Sequence, residues 1–278
     1  MQQALLRYAT IVMSEMLFTF LTLGVLYLIS LIDMNHLFCK KRPRSQIIYF
    51  ILMIIALNYI YFVRTMGTSI ILAIMIYLGI LCVQKGLTLL KSKRKNDETT
   101  VQTGNKQALF SHLIILCVVI ASFAGAKTAW DMRNKSIGVT SSDYLKDFKK
   151  KPKGETMTTF SDWTERIENN LVSYVGKWIP TAIISDEPGF DEKVTTSGLI
   201  EGICILITLK KMQLLLFLYI GITMAVLMIW PEQYAGHRYF IGIIPLFIFL
   251  FLNGCLEIMN TITKKLSLGK YQHVIPAG

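Results

Sequence analysis

The segment 230–240 joins two apolar blocks and carries the residues best suited to bind a ligand. Within it, Arg238 stands between His237 and Tyr239. An arginine at the mouth of a membrane helix can grip a phosphate with paired N–H donors, and the N-terminal amides of that helix face the same anion. Pro245, expected inside the helix, would bend it and open room for a lipid chain. The alternative is that Arg238 and its aromatic neighbours only anchor the helix at the membrane interface.

A second candidate is Glu15, which lies in the first apolar block of the chain. An acidic side chain in an apolar helix is costly and is a candidate site residue by default. It could bind a substrate hydroxyl, or act as a base if burial raises its pKa. The alternative is a structural ion pair with a residue such as Arg7 or Arg64. Glu201, in a later and shorter apolar block, presents the same two alternatives.

The cysteines and histidines give no pattern that favours a disulfide framework or a metal site. The five cysteines contain no Cys-x-x-Cys pair, and the four histidines are scattered along the chain. We therefore interpret the cysteines as small buried apolar residues and predict no bound metal. No glycine-rich phosphate loop, nucleophile elbow or His-Glu-x-x-His motif is present either.

Apolar blocks of membrane-spanning length dominate the chain, which has 278 residues of which 53% are hydrophobic. Seven blocks can be drawn, at about 10–32, 46–63, 67–84, 108–126, 194–209, 212–230 and 237–257. Each is close to the length that crosses a bilayer as a helix, and backbone groups in lipid must bond internally. The sequence therefore predicts an all-α, polytopic bundle of about seven transmembrane helices with one exocytoplasmic loop subdomain. The fifth block is short and could be a partial or re-entrant helix.

The Lys and Arg residues predict the orientation of the bundle. Fourteen of them lie in short connections on one side: Lys40, Lys41, Arg42, Arg44, Lys91, Lys93, Arg94, Lys95, Lys106, Lys210, Lys211, Lys264, Lys265 and Lys270. The opposite short segments carry only Arg7, Arg64 and Arg238. Since basic residues concentrate on the cytoplasmic side, the N-terminus is expected outside and the C-terminus inside. The net charge of +11 is explained by this pattern, so nucleic acid is not an expected partner. An outside N-terminus also leads us to expect helices upstream of Met1 in a full-length protein.

The same pattern divides the chain into four parts. Residues 1–126 hold helices one to four, 127–193 form the exocytoplasmic loop, 194–263 hold helices five to seven, and 264–278 are a cytoplasmic tail. Residues 91–107 are expected to be a flexible linker. In the loop, 162–178 is predicted to be an amphipathic helix capped by Asp162 with Glu165 three residues later.

One face of that loop helix is predicted to be apolar. Its members recur at helical spacing: Trp163, Ile167, Leu171, Tyr174 and Trp178. Such a face suits a helix that lies in the lipid headgroup layer, and packing against the transmembrane bundle is the alternative.

Taken together, these segments resemble the GT-C glycosyltransferases, in particular bacterial relatives of protein mannosyltransferases, aminoarabinose lipid A transferases and Rgt-type sugar transferases. The run from Ser14 and Glu15 to Leu21 resembles the acid-plus-Leu-Phe pattern of their middle helices. The run from His237 to Pro245 resembles their late Arg-Tyr-x-x-Pro-x-x-Pro helix, with Gly242 and Pro245 near the positions of the two family prolines. The long outer loop lies between the two landmarks. The resemblance spans most of the chain through short motifs.

The resemblance implies transfer of a sugar from a polyprenyl-phosphate donor to a glycan, lipid or protein acceptor, on the outer side of a bacterial cytoplasmic membrane. Arg238, with His237, Tyr239 and Glu15, would contact the lipid phosphate or the substrate. The family's catalytic carboxylate lies in a first outer loop that has no counterpart here, so the catalytic base stays unassigned and this chain is expected to be the C-terminal portion of such an enzyme. No cofactor beyond the donor is implied. Alternatives are a polymerase-like or flippase-like protein of envelope polysaccharides, or a non-enzymatic membrane protein.

Overall fold

A computed structural model describes residues 2–38, 43–95, 99–138, 159–174, 214–231 and 241–265. Within these ranges the chain forms α-helices and short 3-10 turns and contains no strand. The helices are α1 Gln2–Leu31, α2 Arg44–Val63, α3 Thr68–Lys95, α4 Thr99–Ser136, α5 Phe160–Ser173, α6 Leu214–Ile229 and α7 Ile244–Lys265. The predicted all-α class is confirmed.

Five of the described helices are long and apolar enough to cross a membrane. The candidate spans are Ser14–Leu31, Arg44–Val63, Thr65–Ser92, Thr103–Ser136 and Ile244–Thr263, and Leu214–Ile229 is a shorter apolar helix. These spans identify a multi-pass membrane protein. The predicted fifth block, 194–209, lies outside the described residues.

The chain divides into two compact units. The first contains Met1–Thr156 and Leu214–Val226, and the second contains Met157–Gln213 and Leu227–Gly278. The described part of the first unit therefore consists of α1 to α4 and most of α6. The described part of the second consists of α5, the last residues of α6, and α7.

In the first unit, α1 and α2 form an antiparallel hairpin that polar contacts fix at both ends. At one end, the Gln46 side chain donates to the Leu31 carbonyl at 3.0 Å and accepts from the Asp33 N–H at 2.8 Å. At the other end, Arg64 reaches Glu15. Because Gln46 satisfies backbone groups where α1 ends, it sets the register between the two helices.

The helices of the first unit are apolar on both their inner and their outer faces. Inward-facing residues of α1 recur at one stripe of the helix and include Phe18, Val25 and Ile29, all at most 9% exposed. Large apolar side chains also point outward, for example Phe20 at 72% and Ile55 at 60% exposed. A helix that is apolar all round is expected where lipid covers its outer face.

Two helices extend well beyond the membrane blocks predicted for them. Helix α3 continues to Lys95 and α4 begins at Thr99, so the prediction of a flexible linker over 91–107 is wrong for the described residues. Helix α4 also continues to Ser136, ten residues past the predicted boundary at 126. At 1.5 Å per residue its 38 residues span roughly 57 Å, nearly twice the hydrocarbon thickness of a bilayer. The hydropathy blocks marked the lipid-contacting part of each helix and missed its ends, because charged residues continue a helix readily in water.

The tight connection between α2 and α3 depends on a glycine. The chain passes through a 3-10 turn, Thr65–Gly67, directly after Arg64. A methyl group at Gly67 would lie 3.0 Å from the backbone carbon and oxygen of Ile60, and would overlap the Ile60 side chain. No larger residue fits there unless the backbone moves.

Replacing Gly67 by alanine is therefore expected to lower the free energy of unfolding by about 1–3 kcal/mol, the usual cost of overpacking. Chemical unfolding in mixed micelles, followed by helical circular dichroism, measures this. Gly79→Ala is the matched control, because no heavy atom lies within 4 Å of its added methyl group. That variant should be unchanged, or more stable by up to about 1 kcal/mol through helix propensity. Equal effects of the two substitutions would contradict the close packing at Gly67.

Candidate functional site

The ion pair of Glu15 and Arg64 is the core of the candidate site in the first unit. An Arg64 Nη2 atom lies 3.3 Å from Glu15 Oε1, and the two side chains are only 12% and 9% exposed. Glu15 is on the buried face of α1, and Arg64 is the extended residue that ends α2. The N–H of Arg64 donates to the Ile60 carbonyl at 2.9 Å, which holds the backbone of Arg64 in place. Arg64, one of the two arginines proposed for Glu15, thus forms an ion pair with it.

This ion pair is buried but not tight. A charge-assisted N–H···O bond between a guanidinium and a carboxylate is usually about 2.7–2.9 Å long, shorter than the 3.3 Å observed here. A buried ion pair contributes little net stability, because the loss of hydration offsets the attraction. The pair therefore fixes α1 against the end of α2 and contributes little net stability.

Hydroxyl groups continue the polar character deeper into the same unit. Thr223 Oγ1 lies 3.1 Å from Ser69 Oγ and 2.8 Å from the Tyr219 carbonyl oxygen. Its single proton can serve only one of these two acceptors at a time. Ser69 in turn donates to the Met66 carbonyl at 2.8 Å. Helices α3 and α6 thus meet through side-chain hydroxyls rather than through apolar contacts alone.

Two further hydroxyls of the first unit, on Tyr219 and Thr22, are buried without a hydrogen bond in the described part of the chain. The Tyr219 hydroxyl lies near Thr22 and Thr223, and neither it nor Thr22 Oγ1 forms a well-aligned bond. Tyr219 is 1% and Thr22 0% exposed. A buried polar group with no partner is unfavourable and rare, and such groups concentrate at binding sites. We call Glu15, Thr22, Arg64, Ser69, Tyr219 and Thr223 the polar cluster.

The position of Thr22 relative to Glu15 gives the polar cluster its shape. The two residues are seven apart on one face of α1, which corresponds to roughly 10 Å along the helix axis. Polar groups thus run from the ion pair, at the start of the span Ser14–Leu31, toward the middle of that span. The arrangement can accept and donate hydrogen bonds to a ligand that carries both charge and hydroxyls.

The other candidate residues from the sequence lie outside the described residues. These are Arg238, His237, Tyr239 and Glu201. The described residues hold no group of three or more His, Cys, Asp or Glu side chains that could bind a metal ion. Three of the cysteines, Cys82, Cys117 and Cys255, are described and are not in disulfides.

The predicted bend at Pro245 is wrong. Helix α7 begins at Ile244, directly after a 3-10 turn, Ile241–Ile243. Pro245 is therefore the second residue of the helix. In the first turn the missing N–H of proline has no intrahelical partner to lose, so proline starts the helix and does not kink it.

In the second unit, the loop helix is present as α5, but the residues that start it and bury it differ from those predicted. Thr159, not Asp162, is the N-cap. The Asp162 N–H donates to Thr159 Oγ1 at 3.4 Å, and the Thr159 N–H donates to Asp162 Oδ2 at 3.1 Å. This reciprocal pair is a capping box in which the acid is the third helical residue. The sequence pattern located the cap correctly to within three residues.

The buried face of α5 is largely polar. Arg166 is 2% exposed, Asn170 1% and Tyr174 0%, whereas Ile167 and Leu171 of the predicted apolar face are 38% and 48% exposed. The Arg166 guanidinium lies 5.5 Å from the ring centroid of Trp163, within the range of a cation–π interaction. Of the two alternatives for the predicted apolar face, burial against protein holds for Tyr174 and does not hold for Ile167 and Leu171.

Asn170 connects α5 to the end of α6. Its Nδ2 atom lies 2.8 Å from the carbonyl oxygens of Met228 and Trp230 and 3.3 Å from that of Leu227. The last four carbonyls of a helix have no i+4 partner within it, and this side chain donates at the end of α6, where the Leu227 carbonyl also accepts from the Trp230 N–H at 3.2 Å. Two protons serve three acceptors, with Leu227 sharing one of them.

Sequence reasoning found Glu15 but missed the hydroxyls and the buried face of α5. A weak signal was available, because Thr22 follows Glu15 by seven residues and Thr223 follows Tyr219 by four, which places each pair on one helix face. Serine and threonine are common in membrane helices, however, because they can bond to their own backbone. Only the register between α1, α3 and α6 shows that these four hydroxyl side chains lie close together.

The fold and the site define a class: a multi-pass α-helical membrane protein with a buried ion pair and a buried set of hydroxyls inside its bundle. Comparison of the chain with protein-family models, with curated proteins and with solved structures gives no match.

Proposed function

We propose that this protein binds a polyprenyl-phosphate-linked sugar on the outer side of a bacterial cytoplasmic membrane and takes part in glycosyl transfer to a glycan, lipid or protein acceptor. The observation that carries the proposal is the polar cluster. A carboxylate, a guanidinium and several hydroxyls lie within an otherwise apolar bundle, and polar groups at that depth are retained mainly where they bind a ligand.

The chemistry of such a donor matches the groups that the cluster offers. The hydroxyls of a sugar donate hydrogen bonds to a carboxylate, and the oxygens of a phosphate accept hydrogen bonds from a guanidinium. In the proposed complex, Glu15 accepts hydrogen bonds from sugar hydroxyls, while Arg64 turns toward the anionic group. The unpaired hydroxyls of Tyr219 and Thr22 are then available for the remaining sugar oxygens.

The segment around Arg238 is the second, independent part of the proposal. Its residue types favour a contact with the lipid phosphate, and its resemblance to the late helix of GT-C glycosyltransferases supports this role. The orientation follows from the charge pattern, which predicts the N-terminus outside and the C-terminus in the cytoplasm.

In the reaction, an acceptor hydroxyl attacks the anomeric carbon of the sugar, and the bond from that carbon to the phosphate oxygen breaks. The phosphate leaves with the lipid, and the proton of the acceptor passes to a base. No residue of this chain is assigned as that base. The contribution proposed for the residues named above is to bind the donor and to stabilise the charge on the leaving phosphate.

A non-enzymatic role is the second candidate, and the ion pair itself favours it. In this role, the ion pair of Glu15 and Arg64 fixes α1 against the connection between α2 and α3 and binds no ligand. In that case the polar cluster would be a structural contact between helices.

Binding to the purified protein in nanodiscs tests the proposal, with three probes: a polyprenyl-phosphate hexose, polyprenyl phosphate, and polyprenol. Tyr219→Phe removes one buried hydroxyl that has no well-aligned hydrogen bond in the described residues, so the free energy of unfolding should not fall. Affinity for the sugar-bearing probe should fall about tenfold, the value of one hydrogen bond, and affinity for polyprenyl phosphate should not change. Arg238→Ala should weaken binding of both phosphate-bearing probes.

Tyr59→Phe is the matched control, because Tyr59 is half exposed on the outer face of α2. Its affinities should equal those of the unaltered protein. If the unaltered protein binds polyprenol as well as it binds the sugar-bearing probe, the proposal is wrong. If Tyr219→Phe binds normally, the polar cluster is not the sugar site. Unchanged glycan transfer by Arg238→Ala would remove Arg238 from the phosphate site.

A further inference from the structure

Helix α5 in the second unit has three different faces around its circumference. One face is buried against protein and carries Arg166, Asn170 and Tyr174. A second face carries exposed acidic residues, Glu165 and Glu168. The third face is an apolar stripe that remains exposed.

The apolar stripe consists of Phe160, Ile167 and Leu171. These residues are 84%, 38% and 48% exposed. Their spacing of seven and four residues places them along one line of the helix. An exposed phenylalanine with two aliphatic side chains in line is unfavourable in water, so this stripe requires a partner that covers it.

The contacts of Asn170 locate α5 at the end of the apolar helix α6. Its three carbonyl partners belong to the last turn of α6 and to the residue after it. Helix α6 is apolar throughout, ends at Ile229 and is followed by Trp230 and Pro231. Tryptophan marks the level of the headgroups at the ends of membrane helices. A helix fixed to this point lies beside the interfacial layer of the same bilayer.

We infer that α5 lies in the interfacial layer of the membrane, with the apolar stripe inserted between lipids and the face of Glu165 and Glu168 in water. The partner of the stripe is thus the lipid in which α6 is embedded. The polar face of α5 packs against protein, and its apolar stripe meets lipid. Both alternatives that the sequence left open, packing against protein and a position in the headgroup layer, thus apply to different faces of the helix. It does not depend on the proposed function.

The charges of α5 make the inference more specific. The described residues 159–174 carry three acids, Asp162, Glu165 and Glu168, and one base, Arg166, which is buried. A net negative helix gains nothing from anionic headgroups. Insertion therefore depends on apolar area alone and should be the same in zwitterionic and in anionic bilayers.

Site-directed spin labelling of the full chain in nanodiscs tests this. Single cysteines replace Phe160, Ile167 or Leu171 in a chain whose native cysteines are alanine, and Glu165→Cys and Glu168→Cys are the matched controls on the same helix. At the stripe positions, accessibility to oxygen should exceed accessibility to a water-soluble nickel chelate several-fold. At the control positions the order should be reversed, in phosphatidylcholine discs and in discs with added phosphatidylglycerol.

Three outcomes would overturn the inference. Access of the nickel chelate to the stripe would show that it faces water. Poor access of both reagents would show that protein covers it, for example a second copy of the chain. Insertion only with phosphatidylglycerol would show an electrostatic cause. Hydroxyl-radical footprinting of the unaltered protein needs no substitution, and it should show strong protection of Phe160 in nanodiscs relative to the denatured chain.

Discussion

Replacing either Glu15 or Arg64 by alanine is expected to destabilise the first unit by about 3–5 kcal/mol, because each change removes the opposite charge that lies 3.3 Å from the remaining buried one. The two side chains are at most 12% exposed, so water does not compensate the remaining charge well. The double replacement Glu15→Ala and Arg64→Ala should cost clearly less than the sum of the single changes, since no lone charge remains. Chemical unfolding in mixed micelles measures all three variants.

The exposed pair of Lys127 and Asp131 provides the matched control. Its Nζ and Oδ2 atoms lie 3.0 Å apart, closer than the atoms of the buried pair, but the side chains are 57% and 43% exposed. Water and salt screen such a pair, and breaking it should cost about 0.5 kcal/mol or less. If Glu15→Ala and Lys127→Ala changed the free energy of unfolding equally, the buried contact would contribute no more to stability than the exposed pair.

The same variants distinguish the two candidate functions. Under the structural alternative, the double variant regains most of the lost stability and no ligand affinity changes. Under the proposed function, the double variant is also nearly as stable as the unaltered protein, but it no longer binds the sugar-bearing probe. Stability and binding must therefore be measured on the same preparations.

The sequence predicted the number and position of the described membrane helices better than their ends. Hydropathy identifies the part of a helix that contacts lipid, and α1, α2, α6 and α7 overlap their predicted blocks. Helix α3 continues to Lys95, and helix α4 already begins at Thr99. Both extend beyond their apolar blocks because lysine, arginine and glutamine are good helix formers outside the membrane. Helix ends depend on local capping and not on the membrane.

The site was less predictable than the fold. Glu15 was predictable because a single acid in an apolar helix has a high cost, and Arg64 was one of two proposed partners. Tyr219 and Thr22 lie almost two hundred residues apart in the chain, and nothing in their local sequence sets them apart from other membrane hydroxyls. Arg166 and Asn170 were not predicted for another reason: nothing in the local sequence shows that these two polar residues are buried in contact with protein groups.

Replacing Asn170 is expected to have the second-largest effect, and that effect should be local to α5 and to the end of α6. In Asn170→Ala, the carbonyls of Met228 and Trp230 lose the donor that lies 2.8 Å away, whereas the Leu227 carbonyl still accepts from the Trp230 N–H. A buried polar group left unpaired costs about 1–3 kcal/mol, so α5 should open more easily by about 3 kcal/mol. Hydrogen exchange followed by mass spectrometry should show protection of α5 reduced roughly a hundredfold, with exchange of α2 unchanged.

Asn170→Asp sharpens this prediction because it preserves the size of the side chain and removes only its donors. An ionised aspartate would place a carboxylate against three carbonyl oxygens, so it should weaken α5 at least as much as alanine does. Glu168→Ala changes the exposed face of the same helix and should leave exchange unaltered. If Asn170→Asp exchanged like the unaltered protein, packing of Tyr174 and Arg166 would be what holds α5. The inserted apolar stripe would then be the remaining anchor at the membrane, and the accessibility of Phe160 to oxygen would not change in that variant.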